Sequence, residues 1–254
     1  MARKKYSIHK TIFKVFLLIV VIAIVVYYTT SLFTRPPHIT YPAFGIEIPP
    51  NYSLHGIDVS RYQKVINWSD VKEMQVKNIK IGFAFIKATE GIDKVDAQFR
   101  RNWLNAAKEN IPRGAYHYFI AGKSGKAQAA NFIEIVKLKK GDLPPVLDIE
   151  ETYGKSIIEM RQEIKKWLEK VEAQYKVKPI IYTNIYFYKK YLKGLVDEYP
   201  FWIAHYLQPD KPRIDLKWAF WQHSESGHVN GIKTTVDFNV FAGDTAEFEN
   251  LLIK

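Results

Sequence analysis

A chain of 254 residues, of which 47% are hydrophobic and 15% aromatic, is long enough to bury one substantial core. It carries a formal net charge of +11 and no cysteine, which excludes disulfides, thiolate zinc sites and a cysteine nucleophile. The first 40 residues contain six Lys/Arg and no Asp or Glu, so +5 of the charge remains for the rest. This modest excess favours approach to anionic polymers such as cell-wall glycans, lipid head groups or nucleic acid, without choosing among them.

The first predicted element is an uncharged, apolar stretch at residues 15–33. As a helix it spans about 28 Å, roughly one hydrocarbon core, and is predicted to cross a membrane once. Five Lys/Arg precede it and only Arg35 follows closely, so the positive-inside rule predicts a cytoplasmic basic tail at residues 1–14 and an external remainder. A cleaved signal peptide is the alternative, but the stretch is long and no A-x-A-like cleavage site follows it.

Residues 34–53 are rich in proline and lack periodicity, which predicts a semi-extended linker before a globular domain at residues 54–254. Within that domain, short apolar runs recur at intervals of roughly 30 residues and predict β-strands. The eight predicted strands are residues 55–60, 83–88, 114–119, 145–149, 179–183, 201–205, 218–223 and 236–241.

Helical patterns fill the gaps between the earlier strands. Helices are predicted at residues 68–76 and 99–110, and a long amphipathic one runs from Ser156 to near Tyr175. Such alternation predicts a parallel sheet of βαβ units. After residue 183 the strands follow too closely for crossover helices, so the expected fold is an irregular TIM-like α/β barrel of eight strands with about five crossover helices.

In parallel barrels the ligand site lies at the C-terminal ends of the strands. There, in PPVLDIEETYG, Asp148 and Glu150 are two positions apart, and the two-residue period of a strand places both side chains on one face. Like charges so close disfavour double ionisation, which tends to raise one pKa and keep one carboxyl protonated near neutral pH. Cleavage of a glycosidic bond needs such a proton donor beside a second, ionised carboxylate.

Two more acids occupy equivalent places. Asp58 in HGIDVSRYQ ends the first strand, and Asp237 in TTVDFNVF lies in the last. Barrel closure makes the first and last strands neighbours, so four carboxyl groups are expected to converge on one mouth. The alternative role of Asp58 and Asp237 is capping or hydrogen bonding of local backbone.

Aromatic side chains in these strands offer flat apolar surfaces on which sugar faces pack. Alternation lets only some of them point inward, and each has the alternative role of packing in the barrel core. The candidates for substrate contact are Tyr116, Tyr118, Tyr182, Trp202, Tyr206 and Trp221.

Other kinds of site find little support. Four histidines lie near strand ends, but no H-x-H or H-E-x-x-H spacing occurs, so no metal site is predicted. No G-x-S-x-G elbow, G-x-G-x-x-G or Walker-type loop occurs, so neither a serine nucleophile nor a nucleotide cofactor is expected. An exported domain with scattered lysines also argues against nucleic acid as a partner. The four histidines are His55, His117, His205 and His223.

Eight segments together form a specific pattern in order and spacing. They are GIDVSRYQ followed by INW, FAFIKATEG with a downstream aspartate (Asp93 or Asp96), RNWLNAAKENIPRGAYHYF, PPVLDIEETYG, IIYTN, FWIAHY, FWQHSESGHVNGI and VDFNVF. In these segments the chain resembles glycoside hydrolase family 25, the lysozymes named after fungal and phage muramidases. The resemblance covers most of the chain, and one departure is Lys64, where many relatives have glycine.

The resemblance implies an eight-stranded barrel with fewer than eight helices, and hydrolysis of the β-1,4 bond between N-acetylmuramic acid and N-acetylglucosamine. It implies Glu150 as the general acid and Asp148 as the carboxylate that either attacks the sugar or orients its acetamido group. Asp58 and Asp237 match acidic positions that tune proton affinity or bind substrate. Both an enzyme nucleophile and the substrate's own N-acetyl group remain open as the attacking group.

The sequence therefore predicts a single-pass, membrane-anchored peptidoglycan hydrolase whose domain is extracytoplasmic, on the periplasmic or cell-surface side. Its expected partners are the glycan strands of peptidoglycan and, through the N-terminal helix, the membrane. One alternative is a non-catalytic cell-wall glycan-binding protein on the same barrel. Another is an enzyme that acts on chitin-like or other N-acetylated glycans.

Overall fold

The computed structural model describes residues 8–33 and 40–254, which belong to two compact units. In the first unit, helix α1 (Ile8–Phe33) contains the apolar stretch Lys10–Thr29, with a mean hydropathy of 2.6. By length and composition alone this helix can cross a membrane, and a signal sequence near the N-terminus has the same properties. The predicted span at residues 15–33 lies inside it.

The predicted cytoplasmic tail, residues 1–14, is described only in part. Its residues 8–14 form the first turns of α1, and residues 1–7 lie outside the described part of the chain. The cytoplasmic location of this end stays a prediction from the distribution of Lys and Arg.

The second unit contains a closed barrel of eight strands, each overlapping one predicted from the sequence. The strands are β1 (His55–Val59), β2 (Ile79–Glu90), β3 (Arg113–Tyr118), β4 (Val146–Asp148), β5 (Ile180–Asn184), β6 (Phe201–Ala204), β7 (Phe220–Gly227) and β8 (Val236–Phe241). Two further short strands, Gln75–Val76 and Lys94–Val95, pair with β2 outside the ring. The predicted irregular barrel is thereby confirmed.

Helices occupy the first five connections between strands, as the strand spacing predicts, and another helix follows the last strand. They are α2 (Trp68–Glu73), α3 (Phe99–Lys108), α4 (Gly125–Ile135), α5 (Ile157–Tyr175), α6 (Ile185–Phe187), which continues into a π-helical turn at Tyr188–Leu192, and α7 (Thr245–Leu251). Ser156 caps α5 as expected, since its hydroxyl accepts a hydrogen bond from the Glu159 amide at 3.2 Å.

The last strand departs from the predicted parallel sheet. Strands β1 to β7 run parallel to their neighbours, whereas β8 is antiparallel to both β7 and β1. The connection between Gly227 and Val236 is too short for a parallel crossover, which needs about a dozen residues or more, but it suits a hairpin. The start of β8 therefore lies at the same barrel end as the C-termini of the other seven strands.

Aromatic side chains fill the barrel interior below that end. Phe85 stacks on Trp202 with ring centroids 4.2 Å apart, and Phe83 packs edge-on against Phe220 at 5.2 Å. Phe248 of α7 lies against Phe83 at 5.6 Å, from the opposite end of the barrel. This packing closes the barrel floor.

The predicted linker at residues 34–53 is wrong for residues 40–47. Strands Thr40–Tyr41 and Ile46–Glu47 form an antiparallel hairpin, and residues 34–39 lie outside the described part of the chain. Phe44 is fully buried and meets Phe238 of β8 edge-on, with ring centroids 5.2 Å apart. The hairpin was not predicted because its apolar residues are interrupted by a proline and by exposed residues, and its strands are too short to show a periodic pattern. This hairpin belongs to the core of the barrel unit.

We expect Phe44→Ala to lower the free energy of unfolding of the barrel by about 3 kcal/mol, because it leaves a cavity against β8. Urea unfolding followed by tryptophan fluorescence measures the change. Ala43→Ser is the matched control, because Ala43 is exposed in the same hairpin. Equal stability of the two variants would mean that these residues are a spacer after all.

Candidate active site

All four acids singled out from the sequence lie at one cavity of about 290 Å³ at the barrel mouth. Asp58 comes from β1, Asp148 from β4 with Glu150 just beyond it, and Asp237 from the start of β8. The prediction that they converge on one mouth is therefore confirmed by their positions. Their chemical roles are a separate question, which depends on the hydrogen bonds and charges around them.

Asp58 and Asp237 form a carboxyl pair, because antiparallel pairing sets the two residues directly opposite each other. Asp58 is buried, and one of its oxygens, Oδ2, accepts hydrogen bonds from Gln222 and Asn239, both at 2.8 Å. Burial and the Asp58 carboxylate raise the pKa of Asp237 to about 9, so the pair shares one proton, held on Asp237. The hydrogen bonds of the Asp58 carboxylate come from these two side chains and not from local backbone, which was the alternative role for this residue.

Asp148 and Glu150 form the second carboxyl pair. Asp148 is buried, and its Oδ1 atom has no hydrogen-bonding partner among the described residues. Burial, followed by the charge of Glu150, holds the pKa of Asp148 well above its usual range. Burial also raises the pKa of Glu150, and a hydrogen bond from Tyr182 opposes part of that rise. The pair therefore retains a proton at a pH where exposed carboxyls have lost theirs.

One cation faces these acids, and the sequence analysis missed it. Lys87, near the end of β2, lines the cavity with its ammonium 2.9 Å from Glu90 and 4.6 Å from the centre of the Tyr118 ring. Its charge favours the ionised forms of Asp148 and Glu150. The sequence could have identified Lys87, because it follows an apolar run at the mouth end of a strand, where polar residues are functional candidates.

Two amides were missed as well. Gln222 and Asn239 are buried and anchor Asp58, and Gln222 also accepts hydrogen bonds from the hydroxyls of Tyr182 and Tyr206. Asn239 lies two residues after Asp237 on β8 and so faces the same side of the sheet. That spacing could have identified it, by the rule that paired Asp148 with Glu150.

Five of the six candidate aromatics line the cavity: Tyr116, Tyr118, Tyr182, Trp202 and Tyr206. Trp202 is almost wholly buried and forms the floor, while the tyrosines form the walls. Trp221 is not among the lining residues, and its indole donates to the carbonyl of His205 while its ring packs against Tyr52. Because neighbouring Gln222 points inward, Trp221 points outward, so the prediction that it contacts substrate is wrong.

The histidines play structural roles. His117 is buried, bonds the Thr89 hydroxyl at 2.7 Å and stacks on Trp167 of α5, outside the barrel wall. Burial lowers the pKa of His55 and His117 to about 4 and that of His223 to about 3. Among residues 8–33 and 40–254, no group of three or more His, Asp or Glu side chains is arranged to hold a metal ion.

A comparison with known families gives this geometry its context. The sequence model of Glycosyl hydrolases family 25 matches residues 57–232, which is more than half of the chain and includes three of the four acids. The chain belongs to glycosyl hydrolase family 25. Family membership makes it a glycosidase of the lysozyme type, in agreement with the resemblance seen in the sequence.

Relatives and solved structures of the family agree over most of the chain. YegX of Escherichia coli, described as uncharacterized, is 45% identical over 210 residues, which cover 83% of this chain and 77% of YegX. Lysozyme M1 of Streptomyces globisporus is 37% identical over 212 residues, covering 76% of this chain and 69% of that protein. The structure of a family 25 glycosyl hydrolase from Bacillus anthracis matches with a TM-score of 0.73 and 33% identity, over 85% of this chain and 98% of that one.

In this family 25 protein, we expect Asp237→Asn to raise the free energy of unfolding at pH 8 by about 1 to 3 kcal/mol. The raised pKa of Asp237, about 9, means that the folded state binds a proton that the unfolded state has released above pH 4 or so. Wild-type stability therefore falls as pH rises between these two values, and an amide removes that dependence.

Urea unfolding at pH 5 and pH 8 measures the difference between the variant and the wild type. Asp215→Asn serves as control, because Asp215 is exposed and does not line the cavity. A variant whose stability changes with pH as steeply as that of the wild type would contradict a shared proton.

Proposed function

We propose that this family 25 glycosidase cleaves the β-1,4 bond between N-acetylmuramic acid and N-acetylglucosamine in peptidoglycan. The observation that carries the proposal is the Asp148 and Glu150 pair, which lines one cavity with Asp148 buried and Glu150 partly exposed. Burial raises the pKa of both carboxyls, which favours a shared proton. A protonated carboxyl beside a second carboxyl is the machinery of glycosidic cleavage. The lysozyme names of Lysozyme M1 and of the autolytic lysozyme of Clostridium acetobutylicum, 31% identical over 193 residues, support the choice of polymer.

The unpartnered oxygen of Asp148 favours an N-acetylated sugar. A carboxylate only accepts hydrogen bonds, so the N–H of a substrate acetamido group is a suitable donor for Oδ1. That bond stabilises the ionised form of Asp148, and the remaining proton of the pair then resides on Glu150. Substrate binding would in this way complete the division of roles, with Glu150 as the acid and Asp148 as the group that orients the acetamido.

The proposed reaction begins when Glu150 donates its proton to the glycosidic oxygen as the bond to the anomeric carbon breaks. The acetamido oxygen attacks that carbon and forms a cyclic oxazolinium, whose N–H is held by Asp148. Water then opens the ring and gives its proton to Glu150, which restores the acid. Asp58 and Asp237 act here as the hydrogen-bonded support of the cavity, and the wall tyrosines contact the sugars.

We expect Glu150→Gln to lower the rate of peptidoglycan cleavage by about 100-fold or more, because the amide cannot donate the proton. Purified protein is incubated with peptidoglycan, and the released muropeptides are reduced and identified by mass spectrometry. Glu151→Gln is the matched control, since Glu151 is exposed next to the cavity and is assigned no catalytic role.

Four other outcomes of this assay, run on chitooligosaccharides as well as on peptidoglycan, would change the assignment. Full activity of Glu150→Gln would remove Glu150 from the role of acid. Products with reducing-end N-acetylglucosamine, or cleavage of chitooligosaccharides alone, would reject the proposed bond. Retained binding of peptidoglycan without cleavage by the wild type would favour a glycan-binding protein on the same barrel.

We further propose that α1 anchors the protein in a membrane with the barrel on the extracytoplasmic side. The uncharged stretch and the basic residues before it support this orientation. The chain has no cysteine, so a single introduced thiol reports sidedness without background.

In intact cells, a membrane-impermeant maleimide is expected to label Glu249→Cys, near the C-terminus, and to leave Ser7→Cys unlabelled until the cells are opened. Edman sequencing of the membrane-bound protein checks that the N-terminus is retained. A shortened N-terminus would identify a cleaved signal peptide, and labelling of Ser7→Cys in intact cells would reverse the orientation.

A further inference from the structure

A short 3₁₀ turn, Arg61–Gln63, follows β1 at the edge of the catalytic cavity. Tyr62 and Gln63 of this turn line the cavity, and Tyr62 is 68% exposed. The guanidinium of Arg61 lies over the Tyr62 ring, 5.3 Å from its centre, and the Arg61 side chain is exposed. The turn therefore places an exposed cation beside an aromatic ring that lines the cavity.

Hydrogen bonds on two sides hold this turn in place. Ser60 caps it, and the Ser60 amide donates to Oε1 of Gln63 at 2.9 Å. The side chain of Gln63 also donates to the carbonyl of Thr235, in the connection before β8, at 3.2 Å. On the other side, the Arg61 amide donates to the carboxylate of Asp96 at 3.0 Å. The backbone of the turn is thus preorganised, so a ligand that binds there has little of it to order.

The residue after the turn, Lys64, has an unusual backbone conformation. Its φ of 55° and ψ of −132° lie in a region that glycine adopts readily and that strains a residue with a side chain. Strained residues cluster at active sites and at positions that clamp a ligand. Lys64 is exposed, so core packing does not account for its conformation. The strain therefore favours a function for the Lys64 side chain.

Both cations are available to an anion. Among the described residues, no carboxylate forms a salt bridge with the side chain of Arg61 or of Lys64. The two acids whose charges act on Arg61 have other partners. Asp96 accepts hydrogen bonds from two backbone amides, and Glu90 is paired with two lysines at 2.9 Å each.

The cavity beside this turn is acidic. In the described part of the chain, five carboxyl groups and one cation, Lys87, line it. An acidic ligand is therefore repelled from the cavity unless cations at the edge attract it. The five carboxyl groups belong to Asp58, Asp148, Glu150, Glu225 and Asp237.

We propose that Arg61 and Lys64 bind carboxylates carried by the substituent of N-acetylmuramic acid, and thereby favour peptidoglycan over uncharged N-acetylated glycans. This inference rests on the proposed function, from which it takes peptidoglycan as the ligand. The sugar rings of that polymer are uncharged, and its acidic groups belong to the lactyl ether of muramic acid and to the peptide stem joined to it. The planar fork of Arg61 matches a carboxylate with two parallel hydrogen bonds, and its position over Tyr62 favours that geometry.

Peptidoglycan treated with carbodiimide and ammonia has neutral amides in place of its carboxylates, while its glycan and stems remain. For the full-length protein in detergent micelles at low salt, we expect kcat/KM to be about fivefold higher on charged than on amidated peptidoglycan, the size of one exposed ion pair. Arg61→Gln is expected to remove most of this preference, and Arg61→Lys to retain part of it. An unchanged preference in Arg61→Gln would overturn the proposal.

Arg101→Gln is the matched control, because Arg101 is exposed on α3 and does not line the cavity. This variant loses the same charge as Arg61→Gln and is expected to keep the wild-type preference. A fall of the same size in both variants would show that only the overall charge of the protein matters, and would contradict a site at the turn.

Two substitutions of Lys64 separate its charge from its backbone strain. Lys64→Gln removes the charge and keeps the strain, so only the preference for charged peptidoglycan is expected to fall. Lys64→Gly removes both, so the preference is expected to fall while the urea concentration at the unfolding midpoint rises. A full wild-type preference in both variants would overturn the role of Lys64.

Removal of the stems with an amidase distinguishes the two sources of the carboxylate. Stem-free glycan retains the lactyl carboxylate, so a rate that still depends on Arg61 would assign that group as the ligand. A rate that no longer depends on Arg61 would assign the carboxylates of the stem.

Calorimetry with soluble muropeptides and the Glu150→Gln variant measures binding without cleavage. Tighter binding of charged than of amidated muropeptides, together with no cleavage by the wild type, would end the proposed function and retain the carboxylate site. Cleavage by the wild type with equal binding of both muropeptides would retain the proposed function and overturn this inference.

Discussion

The reversed direction of β8 is the constraint on which the mouth of this barrel depends. A short connection forces β8 to run against both neighbours, and the resulting register sets Asp237 opposite Asp58. In an all-parallel barrel the start of the last strand would lie at the floor, about one strand length away from the other acids. Strand direction thus decides that the mouth holds two carboxyl pairs and not one.

The packed interior and the polar mouth are parts of one arrangement. Trp202 stacks on Phe85 within the barrel, and its indole N–H is also the donor that fixes Asn239. Aromatic packing below therefore determines the orientation of polar groups above. Buried carboxyls are unfavourable for stability, and the hydrogen bonds from two amides offset part of that cost for Asp58.

Much of this fold was predictable from periodicity and spacing. The eight strands, the five crossover helices and the convergence of four acids follow from apolar runs and the two-residue period of strands. The direction of β8 could have been predicted only by noticing that the connection between β7 and β8 is shorter than a parallel crossover needs. The hairpin of residues 40–47 escaped because four residues of strand carry too little pattern to be distinguished from a linker.

The site itself was predicted less completely than the fold. Alternation defines two faces of a strand but does not say which faces inward, so Trp221 was chosen in place of its neighbour Gln222. In the sequence, Lys87 and Glu90 are three residues apart and resemble an ordinary surface ion pair, which the structure confirms only as a pair. The hydrogen bonds of Gln222 with Asp58, Tyr182 and Tyr206 join residues far apart in the sequence, so they become visible only once the strands are brought together.

The closed floor formed by Phe83, Phe220 and Phe248 limits how a ligand can enter and leave the barrel. With one entrance, whatever enters the mouth must leave by the same opening, and no polymer can be threaded along the barrel axis. A long strand bound there has to lie across the rim, with both of its ends in solvent. A mouth of this shape does not require a bound polymer to present a free end.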